Sequence, residues 1–233
     1  MGVVDDLIAD IRAGYAAAAN AEVAVGQQAY MKSTIPYWGV KTPEGRKIVK
    51  PLLVRHTLRS REEWEGAILT LWDNVTHREE WYAALGIATY GRYRDLRSSL
   101  DSLPLYEHLI RTGAWWDVCD EIAQHLVGEV LMQPSEDASA IMRSWSTDDF
   151  LWIRRCSILS QGRHRDKTDP YLLRDCILPS IDDTDFFSRK AIGWALRDYA
   201  KVNPDWVRAF VVEFDDRLSG LSKREALKHL GQP

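Results

Sequence analysis

Apolar residues recur along this chain at helical spacing from one end to the other, and no segment alternates as a half-buried strand would. Residues 3–19 (VVDDLIADIRAGYAAAA) and 21–32 (AEVAVGQQAYMK) carry their apolar positions in Ala-rich surroundings, which predicts two helices. Pro36, Gly39 and Pro43 punctuate the turn-like stretch IPYWGVKTP. Thr42 is a good N-cap with Pro43 at the first helical position, so a helix over about 43–57 follows. Beyond residue 60 the pattern predicts helices over 61–73, 77–90, 103–112, 115–131, 135–145, 148–161, 170–180, 185–201, 204–213 and 221–230. The breaks between them fall at Gly, Pro, Asp and Asn, and the expected fold class is all-α.

A longer period is superimposed on the helical one. Bulky apolar residues stand at Trp81, Trp116, Leu151, Phe186 and Leu221, each 35 residues after the last, and three residues downstream runs a second column of Ala84, Cys119, Arg154, Arg189 and Arg224. A period of this size with two helices per unit predicts a stacked helical solenoid, each unit burying its apolar face against its neighbours. One position further the column reads Leu85, Asp120, Arg155, Lys190 and Glu225, so Asp120 and Arg155 are expected side by side on adjacent repeats.

Composition narrows the classes. No apolar run approaches the roughly 20 residues of a membrane helix, and the N-terminus MGVVDDLIAD lacks the basic-then-apolar order of a signal peptide, so a cytoplasmic location and no membrane partner are expected. Cys119, Cys156 and Cys176 are odd in number and lack C-x-x-C spacing, and are read as buried or half-buried apolar residues. Net charge is −4, but residues 1–150 hold 15 Lys/Arg against 22 Asp/Glu, whereas 151–233 hold 15 against 12. That asymmetry allows a local basic surface on an acidic protein; an unevenly solvated surface fits the counts equally.

The candidate chemistry starts at GAWWDVCD, residues 113–120. In a helix Trp116 and Asp120 share a face one turn apart, and an indole beside a carboxylate favours a cationic or cation-forming ligand. A core Trp next to a solvated carboxylate produces the same spacing. Gly-rich phosphate loops, G-x-S-x-G and H-E-x-x-H are all missing from the sequence, and the six histidines are scattered. Arg154, Arg155, Arg163, Arg165 and Lys167, then Arg189, Lys190, Arg197 and Lys201, then Lys223, Arg224 and Lys228, recur in successive units. Stacking would align them into the stripe expected of a phosphate-backbone binder, and solvated helix faces look alike in sequence. Trp194 lies four residues beyond Lys190 and shares its face, as a site aromatic or as core.

With these residues in view, the chain resembles the AlkD family of DNA alkylation repair enzymes, helical-repeat DNA glycosylases that remove N3- and N7-alkylated purines. The resemblance rests on AYMK at 29–32, GVKTPEGRK at 39–47, LWD at 71–73, WWDVCD at 115–120, WIRRCSIL at 152–159, FFSRKAIGWALRDYAKVNPD at 186–205 and LSKREALKH at 221–229. It implies one domain over 1–233, a curved solenoid of HEAT-like repeats with a concave DNA-binding face. It makes Asp120 the catalytic carboxylate, Trp116 and Trp194 the aromatic pair flanking the scissile nucleotide, and Arg155 the arginine that completes the cleft, holding a neighbouring phosphate. Tyr30, Thr42, Arg197, Lys223 and Arg224 match DNA contacts, which Arg154 and Lys190 join from the basic stripe. The implied reaction hydrolyses the N-glycosidic bond in double-stranded DNA, initiating base excision repair without base flipping and with tolerance of bulky adducts. No cofactor or metal is expected, and the expected state is a monomer on duplex DNA. Two other readings of the same residues are a helical-repeat scaffold for protein partners and a DNA-binding relative without turnover.

Overall fold

The computed structural model describes residues 2–133 and 135–230, and all regular secondary structure among them is helical. The chain divides into two compact units, residues 1–96 and 97–233. No helix among the described residues is long and apolar enough to cross a membrane.

The first unit contains α1 (Val3–Ala17), α2 (Ala21–Met31), α3 (Thr42–Arg55), α4 (Arg61–Asp73) and α5 (Glu79–Ala88). Their starts are chemically marked. Asn20 accepts from the Val23 amide at 3.1 Å and Ser60 from the Glu63 amide at 3.2 Å, each satisfying a donor that the first turn leaves unpaired. α3 begins one residue earlier than expected, at Thr42, with Glu44 reaching back to the Lys41 amide. α1 packs on α3 and α4, which in turn pack on α5, and Leu7, Ile11, Leu53, Trp64, Ile68 and Leu71 close the core.

The loop between α2 and α3 is held from inside. Glu79, almost fully buried, accepts from three successive backbone amides, Trp38 (3.1 Å), Gly39 (2.9 Å) and Val40 (3.1 Å). Three donors on one carboxylate offset the cost of taking it out of water. That geometry needs Gly39 at φ +86°, where a Cβ would lie 2.0 Å from the Asn20 carbonyl oxygen and 2.8 Å from the Ala24 nitrogen, both backbone. Gly39→Ala is therefore expected to combine left-handed strain with a steric conflict that no rotamer relieves, lowering stability by about 2–4 kcal/mol in denaturant titration. A variant as stable as the parent would show that the loop can rebuild without this conformation.

Residues 91–102, left without an element by the sequence pattern, form the short helix α6 (Arg94–Arg97) flanked by single 3₁₀ turns at 91–93 and 100–102. Each piece is too short to show a helical period, which is why the pattern passes over it.

The second unit continues with α7 (Leu103–Gly113), α8 (Trp116–Ile122), α9 (Gly128–Leu131), α10 (Glu136–Ser146), α11 (Leu151–Leu159), α12 (Pro170–Ile177), α13 (Phe186–Ala200), α14 (Pro204–Glu213) and α15 (Gly220–Ala226). α8, α11, α13 and α15 form one row, each packed on the next. α7 backs α8, α10 and α12 back α11, and α14 backs α13. This is the helical-repeat stacking that the 35-residue period predicts, and the register is visible in side-chain pairs 35 residues apart: Asp120 with Arg155, Lys190 with Glu225, and Asp182 with Arg217. The helix expected over 115–131 is interrupted, since residues 123–127 take a π-helical turn between α8 and α9. The bulky column is not uniformly core. Trp81 is buried but Phe186 is 56% exposed. Phe186 opens α13, and a side chain in the first turn leans back past the helix end, where stacked neighbours cover it least.

Candidate active site

The α7–α8 junction sets the first functional side chains. Ala114 takes a left-handed φ of 39°, reversing the chain after α7 so that α8 starts at Trp116. Asp120 falls one turn into α8, Arg155 in the first turns of α11, and Lys190, Trp194 and Arg197 along one face of α13.

Arg155 is the hub. Its Nε and Nη2 donate to both carboxylate oxygens of Asp120 at 2.8 and 2.7 Å, and Nη1 donates to the Phe187 carbonyl at 2.6 Å. One side chain thus ties α8, α11 and the start of α13. The guanidinium carbon also lies 5.4 Å from the Trp194 ring centroid and 5.9 Å from that of Phe187. A bidentate pair of this kind fixes the plane of the carboxylate as well as its position. Below it, Trp115, Trp152 and Phe187 pack together with centroids 5.0–5.9 Å apart, a stiff aromatic floor.

Exposure separates the two partners. The Arg155 side chain is 1% exposed and that of Asp120 15%. Asp120 stays partly exposed, and each of its oxygens has a lone pair beyond the one given to Arg155. Arg155 is enclosed, with its donors directed at Asp120 and the Phe187 carbonyl. In this structure the guanidinium is turned to Asp120 and the Phe187 carbonyl, an arrangement that orients the Asp120 carboxylate. Burial raises the Asp120 pKa from its ordinary value, the Arg155 hydrogen bonds and charge offset part of this, and the nearby Asp117 adds to the rise.

Trp116 stands one turn before Asp120 and is half-buried, as is Trp194. Lys190 Nζ and the Arg197 guanidinium each lie 5.9 Å from the Trp194 centroid, so three cations surround one indole. The basic stripe is more strongly paired than a sequence can show. Lys190 (2.7 Å) and Arg197 both bond Glu225. Arg154 donates to the Asp148 and Asp149 carbonyls and to Asp183 at 3.2 Å, and Lys223 pairs with Asp215 at 2.7 Å. Arg224 is exposed. Tyr30, at 75% exposure on α2, and Thr42, exposed at the start of α3, belong to the first unit. The structure thus gathers Asp120, Arg155, Trp194, Lys190 and Arg197 and leaves Arg154 and Lys223 in separate ion pairs. Glu225 and Phe187 were missed by site reasoning, although Glu225 already stood in the column that holds Asp120, Arg155 and Lys190.

Other features lie apart from this cluster. A cleft of about 520 Å³ in the second unit is lined by Gln124, Arg163, Arg165, Tyr199 and Lys201 among others, and not by Asp120, Arg155 or Trp194. All three cysteines are buried, and burial raises their thiol pKa values, that of Cys176 to about 12, so they are held as thiols. Among the described residues no group of three His, Cys, Asp or Glu side chains is placed to hold a metal ion.

Comparison with known proteins gives this cluster a family. A solved structure described as a predicted DNA alkylation repair enzyme from Enterococcus faecalis superposes with a TM-score of 0.82 at 29% identity, covering 92% of this chain and 98% of that one. No curated protein sequence matches the chain. The family model for DNA alkylation repair enzymes matches residues 11–230, which takes in most of each unit and every residue of the cluster, and the chain belongs to the DNA alkylation repair enzyme family.

Proposed function

We propose that this chain is a DNA glycosylase that hydrolyses the N-glycosidic bond of N3- and N7-alkylated purines in double-stranded DNA and so initiates base excision repair. The observation that carries the reading is the Asp120 carboxylate, partly exposed and held in plane at 2.7–2.8 Å by Arg155, whose guanidinium also lies 5.4 Å from the half-buried Trp194 ring.

Alkylation at N3 or N7 gives the purine a positive charge, so the base departs as a neutral molecule and takes the electron pair of the C1′–N bond with it. The demand moves to the deoxyribose, which becomes oxocarbenium-like as that bond breaks. A preorganised carboxylate lowers the energy of such a cation, and a lone pair not given to Arg155 accepts a hydrogen bond from the water whose oxygen bonds to C1′. The proton in that hydrogen bond passes to Asp120 or to solvent, and the water's other hydrogen stays on the new C1′ hydroxyl. Trp116 and Trp194 offer ring faces to the sugar and to the cationic base. Lys190, Arg197, Lys223 and Arg224, with Tyr30 and Thr42 of the first unit, are the proposed contacts to the DNA.

In this reading the enzyme works on the sugar and backbone without enclosing the base. An enclosing pocket discriminates by about 10–200-fold per methylene. Release of 7-methylguanine and of a bulky N7-alkylguanine from the same duplex, followed by chromatography, is therefore expected to differ by no more than about tenfold. Release of the methylated base alone would overturn the open-site reading, and release of neither would remove the glycosylase itself, leaving a DNA-binding protein without turnover.

A further inference from the structure

Two carboxylates neutralise the cations around Trp194, and they do so differently. Asp120 serves one guanidinium that is closed off from solvent. Glu225 is shared by two cations, Lys190 and Arg197, whose side chains are 23% and 25% exposed. A lysine ammonium has three N–H donors and a guanidinium five, so both keep donors to spare. A single carboxylate lying between two cations has the charge and the oxygen geometry of one phosphodiester edge.

The protein is built to bring Glu225 there. α15 rests against α13 at Gly193, where a Cβ would come within 2.5 Å of the Glu225 Cβ, and Ser222 Oγ donates to the Arg189 carbonyl at 2.9 Å. Only a glycine on α13 lets the backbone of α15 approach so closely.

Resting on the proposed DNA binding, we propose that Glu225 is an internal stand-in for a backbone phosphate. It occupies the seat between Lys190 and Arg197 in the free protein, is displaced by a phosphodiester of the bound strand, and thereby limits the grip of this cation pair on undamaged duplex. Its removal then strengthens binding, an outcome that mere structural damage does not produce.

The test measures binding of an undamaged fluorescent duplex between about 50 and 200 mM salt by wild type and Glu225→Gln, with circular dichroism confirming that both are folded. The variant is expected to bind about five- to tenfold tighter at the low-salt end, with a slope of log K against log salt steeper by about 1. In a Lys190→Gln/Arg197→Gln background the same substitution is expected to give no such gain. Wild-type affinity and slope in folded Glu225→Gln would overturn the assignment. So would an equal gain in the background lacking both cations, which would reflect net charge alone. If neither wild type nor any variant binds duplex at low salt, the DNA reading falls and this inference with it. Should Glu225→Gln prove poorly folded, Lys190→Gln decides. With Glu225 in place it is expected to reduce the slope by clearly less than the change of about 1 that a lysine holding a phosphate gives, and a full loss would show that Lys190 already faces DNA unhindered.

Discussion

Asp120→Asn is expected to lower the single-turnover rate of 7-methylguanine release from alkylated duplex by about 10²–10³-fold while duplex binding is kept or strengthened. The rate effect follows from removing a preorganised group aimed at developing charge, which is worth about 3–4 kcal/mol of transition-state stabilisation. Asn keeps the shape and one acceptor, so Arg155 retains its Nε hydrogen bond but loses its counter-charge. Some loss of thermal stability accompanies the substitution for that reason, and the assay belongs well below the variant's unfolding temperature. Binding behaves oppositely to rate because the substitution subtracts a negative charge from a surface facing phosphates. The pair of readouts separates a chemical role from a general defect: a misfolded site loses both. Equal release by parent and variant would remove Asp120 from the chemistry.

The same carboxylate shows what a sequence reveals and what it withholds. The 35-residue register places Asp120 beside Arg155 because stacked repeats bring equivalent positions together, and the structure has them bonded. Helix starts were legible in part: breaks at Asp169, Asp185 and Asn203 do cap first turns, whereas Thr42, expected as an N-cap, is the first residue of α3, and Lys41 before it makes no side-chain cap. Depth was not legible. Arg155 and Lys190 occupy the same column, yet one is sealed and the other a quarter exposed. The difference arises from the Phe187 carbonyl and the aromatic floor of Trp115, Trp152 and Phe187, contacts between distant segments that no local pattern records. The pairing of the basic stripe was not legible for a related cause. A run of cations on one helix does not disclose which turn of the neighbour carries Glu225, Asp183 or Asp215.

Arg155→Met is expected to produce the largest change in stability, a loss of about 3–5 kcal/mol, because it strips a buried carboxylate of the guanidinium that pairs with it while leaving the carboxylate in place. It should also move the pH profile. Burial already raises the Asp120 pKa in the folded protein and Arg155 holds that rise back, so without the guanidinium the value climbs further. The folded protein binds this proton more tightly than the unfolded chain does. The stability contributed by protonated Asp120 is therefore fully present below the unfolded value of about 3.9 and is lost as pH rises through the folded one. In the wild type the acid limb of base release should accordingly lie above the pH of an ordinary aspartate titration, and in Arg155→Met it should shift toward neutrality, with activity partly recovered at alkaline pH. Asp120→Asn/Arg155→Met supplies the control. With no charge left to strand, the double variant should be less destabilised than the sum of the two single ones, the difference being the coupling energy of the pair. An unmoved acid limb together with additive stability losses would mean that Arg155 merely fills space between three helices and that Asp120 owes its ionisation to something else.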